Sequence, residues 1–175
     1  LWLVKDGGAT PPDPEQLETM NTTALQEGPK MADRQVLLVP HTGRSKNLSA
    51  AERTAELLDA AGITVRVLVH QDGRPLEGSR ILAPLERVTH TADAAEGCEL
   101  VLVLGGDGTF LRAADLAHAV DVPVLGINLG HVGFLAEWEA ESLDAAIQRV
   151  IDRSYRVEDR MTVDVTVLDN DLEVI

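Results

Sequence analysis

Scarcity marks this sequence before any motif does. It holds one cysteine, Cys98, among 175 residues, so no internal disulfide can staple it. No metal-ligand spacing surrounds that thiol, which is expected to be buried and structural, in a reducing compartment. Aromatic residues make up only 3%, so Val, Leu, Ile and Ala have to build the core. Basic residues are outnumbered, and the formal net charge is −14. A nucleic-acid-binding surface is normally basic, which excludes that class of partner. Long apolar runs are missing too. None approaches the roughly 18 residues of a membrane span, and no signal-peptide pattern opens the chain. A cytoplasmic protein with neither membrane nor nucleic-acid partners is expected.

What is present suits one compact domain, or one domain with part of another. Hydrophobic residues make up 45% of the chain, enough for a core. The stretch Gly7-Gly8-Ala9-Thr10-Pro11-Pro12-Asp13-Pro14 is rich in breakers, and residues 15–26 are polar. Residues 1–30 are therefore expected to be an extension of low order, with Met31 opening the folded domain. From there the pattern is regular. Gln35-Val36-Leu37-Leu38-Val39, ended by Pro40, reads as a buried strand. Ser49-Ala50-Ala51-Glu52 matches a capping box, which predicts a helix from there to about Ala61, stopped by Gly62. Residues 63–69 alternate as a second strand, and 71–86 read as a long connection. Leu100-Val101-Leu102-Val103-Leu104 is the most apolar run and predicts a central strand buried on both faces. A helix is expected from Thr109 to about Ala119, a strand over 122–127 and a one-sided helix from about Ser142 to Arg153.

Strands alternating with helices imply an α/β fold, an open, mostly parallel sheet with helices on both faces. The period then changes. Met161, Val163, Val165 and Val167 alternate with polar residues, and Asp169-Asn170-Asp171 looks like a turn. The domain is accordingly expected over 31–157, with 158–175 as the truncated beginning of an all-β unit.

Both glycine-rich segments fall where strands end, which is where such sheets bind ligands. Gly105-Gly106-Asp107-Gly108-Thr109 lies between the central strand and a helix. Its glycines permit positive φ and leave room for a ligand, and the helix N-terminus adds N–H donors, so the turn suits an anion. Thr109 can cap the helix or bind a phosphate oxygen. Asp107 can accept a proton from an attacking hydroxyl or hold a divalent cation. Its bland alternative is a simple helix cap. Arg112 can supply a nearby cation. In the second segment, residues 126–135, Asn128 offers a donor and an acceptor, and Gly130 and Gly133 permit close backbone approach. Phe134 either lines a pocket for a flat ring or belongs to the core. The Walker A and Gly-x-Gly-x-x-Gly spacings are absent. His41 and Arg44 follow the first strand on the ligand-binding edge, and Arg44 either touches phosphate or is a solvated loop arginine, the second reading being preferred. Trp138 is read as a packing residue.

Three segments in this order carry a family resemblance. Gly105–Thr109 with Phe110-Leu111-Arg112-Ala113 resembles the nucleotide-binding motif of NAD kinases. Gly126–Leu135 looks like their second glycine-rich motif, and Tyr155-Arg156-Val157-Glu158-Asp159-Arg160 is similar to their lead into a carboxyl-terminal β domain. The resemblance covers about residues 35–167. It implies a Rossmann-like domain that transfers the γ-phosphate of ATP, brought with Mg²⁺, to the 2′-hydroxyl of the adenosine ribose of NAD, giving NADP. It implies Asp107 as the proton acceptor. It also places Asp107, Gly108 and Arg112 at NAD-binding positions and Phe134 on the adenine side. With Gly105, Gly106, Thr109, Asn128 and Gly130 these make up the expected site. Family members are commonly homo-oligomers. Their Asn-Glu pair and other β-domain residues would lie beyond Ile175, so this chain is expected to be incompetent alone. Lipid kinases of the diacylglycerol or sphingosine type share the first motif and form one alternative. A non-catalytic nucleotide-binding or assembly module forms another.

Overall fold

The computed structural model describes residues 2–6, 34–41, 45–69, 79–129, 138–139 and 143–162. In chain order the elements are β1 (Trp2–Asp6), β2 (Gln35–Pro40), α1 (Ser45–Ala60), β3 (Thr64–Leu68), β4 (Glu86–Val88), β5 (Leu100–Leu104), α2 (Asp107–Ala119), β6 (Val124–Asn128), β7 (Trp138–Glu139), α3 (Leu143–Ile151) and β8 (Arg156–Arg160). They build one sheet in the order β4-β3-β2-β5-β6-β1-β8, with β7 also on β6. From β4 to β6 every neighbouring pair is parallel. The order reverses direction at β2 and β5. β2 leads outward to β3 and β4, whereas β5 leads the opposite way to β6. In such sheets the crevice beyond the carboxyl ends at that reversal is where ligands bind.

Side-chain alternation along β5 places helices on both faces. Leu100, Leu102 and Leu104 join a core with Ala51, Ala55 and Leu58 of α1 and Ala146, Ile147 and Val150 of α3. Val101 and Val103 join a second core with Phe110, Ala113, Leu116 and Ala117 of α2. A strand covered on both sides has no reason to alternate polar with apolar residues, and all five residues of β5 are buried. The doubly covered sheet is therefore the one expected.

Several elements differ from the sequence-based expectation. α1 begins at Ser45, a full turn before the capping box. A tertiary contact holds this first turn, where buried Asn47 donates from Nδ2 to the carbonyl of His41 at 3.3 Å. The other end matches. Gly62 has φ +73, Ile63 N–H reaches Leu58 O at 2.9 Å and Gly62 N–H reaches Asp59 O at 2.9 Å, which together form a Schellman stop. The short edge strand β4 begins at Glu86, the last residue of the stretch read as a connection, after a turn in which the Ser79 hydroxyl accepts from Leu82 N–H at 3.0 Å. α2 starts at Asp107, two residues early.

Within the stretch expected to have low order, Trp2–Asp6 form β1, antiparallel to β6 at Val4–Val124 and parallel to β8 from Trp2–Arg156 to Asp6–Arg160. Trp, Leu and Val favour strands, and β1 takes the part of the β6 edge that β7 leaves open. β8 thus enters the same sheet as the α/β core. The hairpin expected after Thr162 lies outside the described residues.

Cys98 is buried beneath β5's entry, as expected of a structural thiol. Burial raises its pKa, while Arg66, with Nη1 3.8 Å from Sγ, pulls the other way. A thiol kept protonated is a poor nucleophile. Native protein should react with a disulfide reagent such as DTNB at least about tenfold more slowly than protein in denaturant. Equal rates would contradict this burial.

Candidate functional site

β2, β5 and β6 end side by side, and backbone bonds tie their exits together. His41 N–H donates to Leu104 O at 2.8 Å, and Gly105 N–H donates to Ile127 O at 3.0 Å. His41, the turn 105–109 and Asn128 are thereby brought to one edge of the sheet. The turn sits at the reversal between β2 and β5. Asn128, the last residue of β6, is 5% exposed, so its amide is a buried polar group beside the crevice.

Of the two uses expected of the turn's glycines, the structure shows clearance and not positive φ. None has positive φ; among the described residues that conformation falls to Gly62 and Gly97 for glycine. Gly106 is extended, with φ −94 and ψ −172, and caps α2 without any side-chain cap bond. What the glycines supply is space. A Cβ on Gly105 would lie 2.8 Å from Thr109 Oγ1 and 3.1 Å from His41 Cβ, so this glycine is demanded by packing inside the protein. Among the described residues, a Cβ on Gly106 or on Gly108 meets nothing within 4 Å. Those two positions leave open room outside the turn.

Asp107 is the first residue of α2, half-buried, and the cap position beside it belongs to Gly106. Asp107 thus stands one residue inside the cap position. Thr109 and Phe110 both direct their N–H groups to Gly106 O at 3.0 Å. Helical geometry leaves Gly108 N–H with no acceptor in its own helix, at the positive end of the helix dipole. Arg112 is exposed and stands one turn beyond Gly108 on the same helix face. Phe110 goes to the core below α2. Gly130 and Phe134, with Gly133 and Arg44, lie outside the described residues, as does His131.

Sequence reasoning named His41 without giving it a role. The structure puts its Nδ1 3.3 Å from Thr109 Oγ1, across the reversal between β2 and β5. The available signal was its place directly after β2. Its partner, 68 residues away, required the sheet order.

This architecture, an open α/β sheet whose crevice at the strand reversal is floored by glycines and a helix N-terminus, defines a domain suited to receiving an anionic group. The sequence profile of the ATP-NAD kinase N-terminal domain matches residues 36–155. The chain belongs to that family. It is 69% identical to the NAD kinase of Corynebacterium efficiens over 143 residues, covering 82% of this chain and 45% of that protein. It is 51% identical to the NAD kinase of Rhodococcus jostii over 150 residues, covering 80% of this chain and 47% of that one. Among solved structures, yeast NADH kinase complexed with NADH superposes with a TM-score of 0.54 at 21% identity, over 68% of this chain and 38% of that one, a likeness of fold alone. The chain spans a little under half the length of the relatives it matches.

Proposed function

We propose that this chain is the phosphate-binding part of an NAD kinase that uses ATP with Mg²⁺ to phosphorylate the 2′-hydroxyl of the adenosine ribose of NAD. The observation that carries the reading is the pair of open glycine positions, Gly106 and Gly108, flanking a carboxylate at the mouth of the strand reversal. A phosphate group fits where neither glycine has a neighbour, with the α2 N-terminus supplying donors. The overall charge of −14 opposes a polyanion, so this local attraction matters. Asp107 accepts the proton of the 2′-hydroxyl as its oxygen bonds to the γ-phosphorus. The bond from that phosphorus to the β–γ bridging oxygen breaks, and ADP leaves. Arg112 and Asn128 hold nucleotide groups beside the turn, and the family resemblance assigns Gly130 and Phe134 to the same site. A β-rich domain, which the family resemblance places after the α/β domain, supplies the rest of the NAD site. The intact enzyme is a cytoplasmic homo-oligomer.

The test is to offer the intact enzyme ATP with NAD, and separately with diacylglycerol or sphingosine. NADP formation is expected. Phosphorylation of lipid without NADP would hand the assignment to the lipid kinases, and nucleotide binding without any turnover would leave a non-catalytic module.

Gly108→Ala separates stability from binding. Alanine is better than glycine inside a helix by up to about 1 kcal/mol, so the melting temperature should hold or rise. Its methyl group enters the open room at the turn, and the KM for ATP should rise about tenfold as an approach to the N–H donors is lost. A variant that melts higher and keeps its KM would show that the phosphate lies elsewhere.

A further inference from the structure

We propose that His41 is a positioning residue that sets the direction of the Thr109 hydroxyl, so that Thr109 donates its proton to a phosphate oxygen in the crevice. The proposal rests on the reading of the turn as a phosphate site. His41 is held firmly for such a role. Its N–H is bound to Leu104 O at 2.8 Å, and its carbonyl accepts from Asn47 Nδ2 at 3.3 Å. Its ring reaches Thr109 Oγ1 through Nδ1 at 3.3 Å. The absence of a side chain at Gly105 lets the two residues come together, because a Cβ there would strike Thr109 Oγ1 at 2.8 Å, Thr109 Cβ at 2.9 Å and His41 Cβ at 3.1 Å.

The chemistry follows from the inventory of protons. A threonine hydroxyl has one proton and two lone pairs, and a neutral imidazole carries a proton on only one nitrogen. If Nδ1 is bare, the Thr109 proton points at His41 and only lone pairs face an arriving phosphate, which repels them. If Nδ1 carries a proton, it donates to Oγ1, and the hydroxyl proton is released toward the crevice. The chain Nδ1–H to Oγ1–H to phosphate oxygen is then polarised in one direction, and each bond strengthens the next. A bound anion selects this arrangement. The contact crosses the strand reversal, so it also joins the β2 exit to the first turn of α2.

The experiment uses the intact enzyme and inorganic tripolyphosphate, with binding measured by calorimetry on wild type, His41→Ala, His41→Asn, Thr109→Val and the double variant His41→Ala/Thr109→Val. His41→Ala and Thr109→Val should each weaken binding about tenfold, the effect of losing one hydrogen bond to a charged group. The double variant should match Thr109→Val within about twofold, because His41 acts through the hydroxyl. Asn places an amide nitrogen near the position of Nδ1 and should recover most of the affinity, which separates a positioning role from simple loss of packing. Unchanged binding by His41→Ala, losses that multiply in the double variant, an Asn variant as weak as Ala, or a wild type that does not bind tripolyphosphate would each overturn the proposal. NADP formation by the wild type is scored separately. Kinase activity with normal tripolyphosphate binding by His41→Ala sinks this proposal alone, whereas the expected binding pattern without NADP formation sinks the kinase reading alone.

Discussion

Asp107→Asn in the intact enzyme should lower kcat by about two to four orders of magnitude, the usual contribution of a positioned general base. The substitution is close to isosteric, and Asp107 is half-buried at the first position of α2, with the cap provided by Gly106 backbone. The fold is expected to stay intact, with the melt registering the lost attraction of a carboxylate to the helix N-terminus, about 0.3–1 kcal/mol. Binding should move in the opposite sense to turnover. Removing a negative charge beside a bound triphosphate relieves a repulsion, so the KM for ATP should hold or fall while kcat collapses. That split distinguishes a base from a residue that merely shapes the turn, because a distorted turn raises KM and lowers the melting temperature together. Steady-state kinetics with ATP and NAD, beside a thermal melt, provides the check. A kcat within a few-fold of wild type would remove Asp107 from the chemistry, whatever its place in the crevice.

The parts of this molecule that were legible in its sequence are those whose determinants are local. Leu100–Leu104 is apolar throughout, and a five-residue run of that kind has few homes other than a strand covered on both faces. Leu143, Ala146, Ile147 and Val150 recur at helical spacing, and all four are buried in α3. Gly62 stops α1 because a single left-handed residue is enough to do so. What escaped depends on partners remote in the chain. β1, β4 and β7 are two to five residues long and exist because a neighbouring edge accepts them. The start of α1 escaped for a nearer reason, a bond from Asn47 to His41, six residues back and just past β2, while the capping signal at Ser49 pointed a turn too late. The glycine turn was found, and so was the outward clearance at Gly106 and Gly108; the positive φ expected with it is absent, and the inward clearance at Gly105 depends on His41, which only the sheet order brings near. Roles at the site were legible only as residue types at a strand exit, because chemistry there depends on what the crevice binds.

The largest effect on stability should come from the opposite end of the sheet, at a residue no motif marks. Arg34 precedes β2 and is 3% exposed. Its guanidinium grips Glu99, just before β5, through Nε to Oε2 at 2.7 Å and Nη2 to Oε1 at 2.5 Å. The same group donates to Val150 O and Ile151 O, both at 2.8 Å, at the negative end of α3. One side chain therefore binds two strand entries and one helix end. The hydrogen bonding of the guanidinium to the Glu99 carboxylate is the main cause that raises the Arg34 pKa, with burial opposing it. α3 needs this help, since its stop uses Arg153 at φ 52, a conformation that suits glycine better. Arg34→Met keeps volume and removes every one of these bonds. Among the described residues the Glu99 carboxylate would keep Arg153, at 3.7 Å, as its ion-pair partner, and two helix-end carbonyls would lose a donor. Breaking a buried pair from one side costs about 3–5 kcal/mol, a large share of the stability of a small domain. The partial relief from Arg153 favours the lower figure, and the melting temperature should fall by roughly 10 °C. Arg34→Lys should fall between, retaining charge but not the fork. Removing Glu99 as well, in Arg34→Met/Glu99→Met, should cost less than Arg34→Met alone, because no buried charge is stranded. A melt within about two degrees of wild type for Arg34→Met, far short of the shift such a loss should give, would mean that α3 and the strand entries hold together without this side chain.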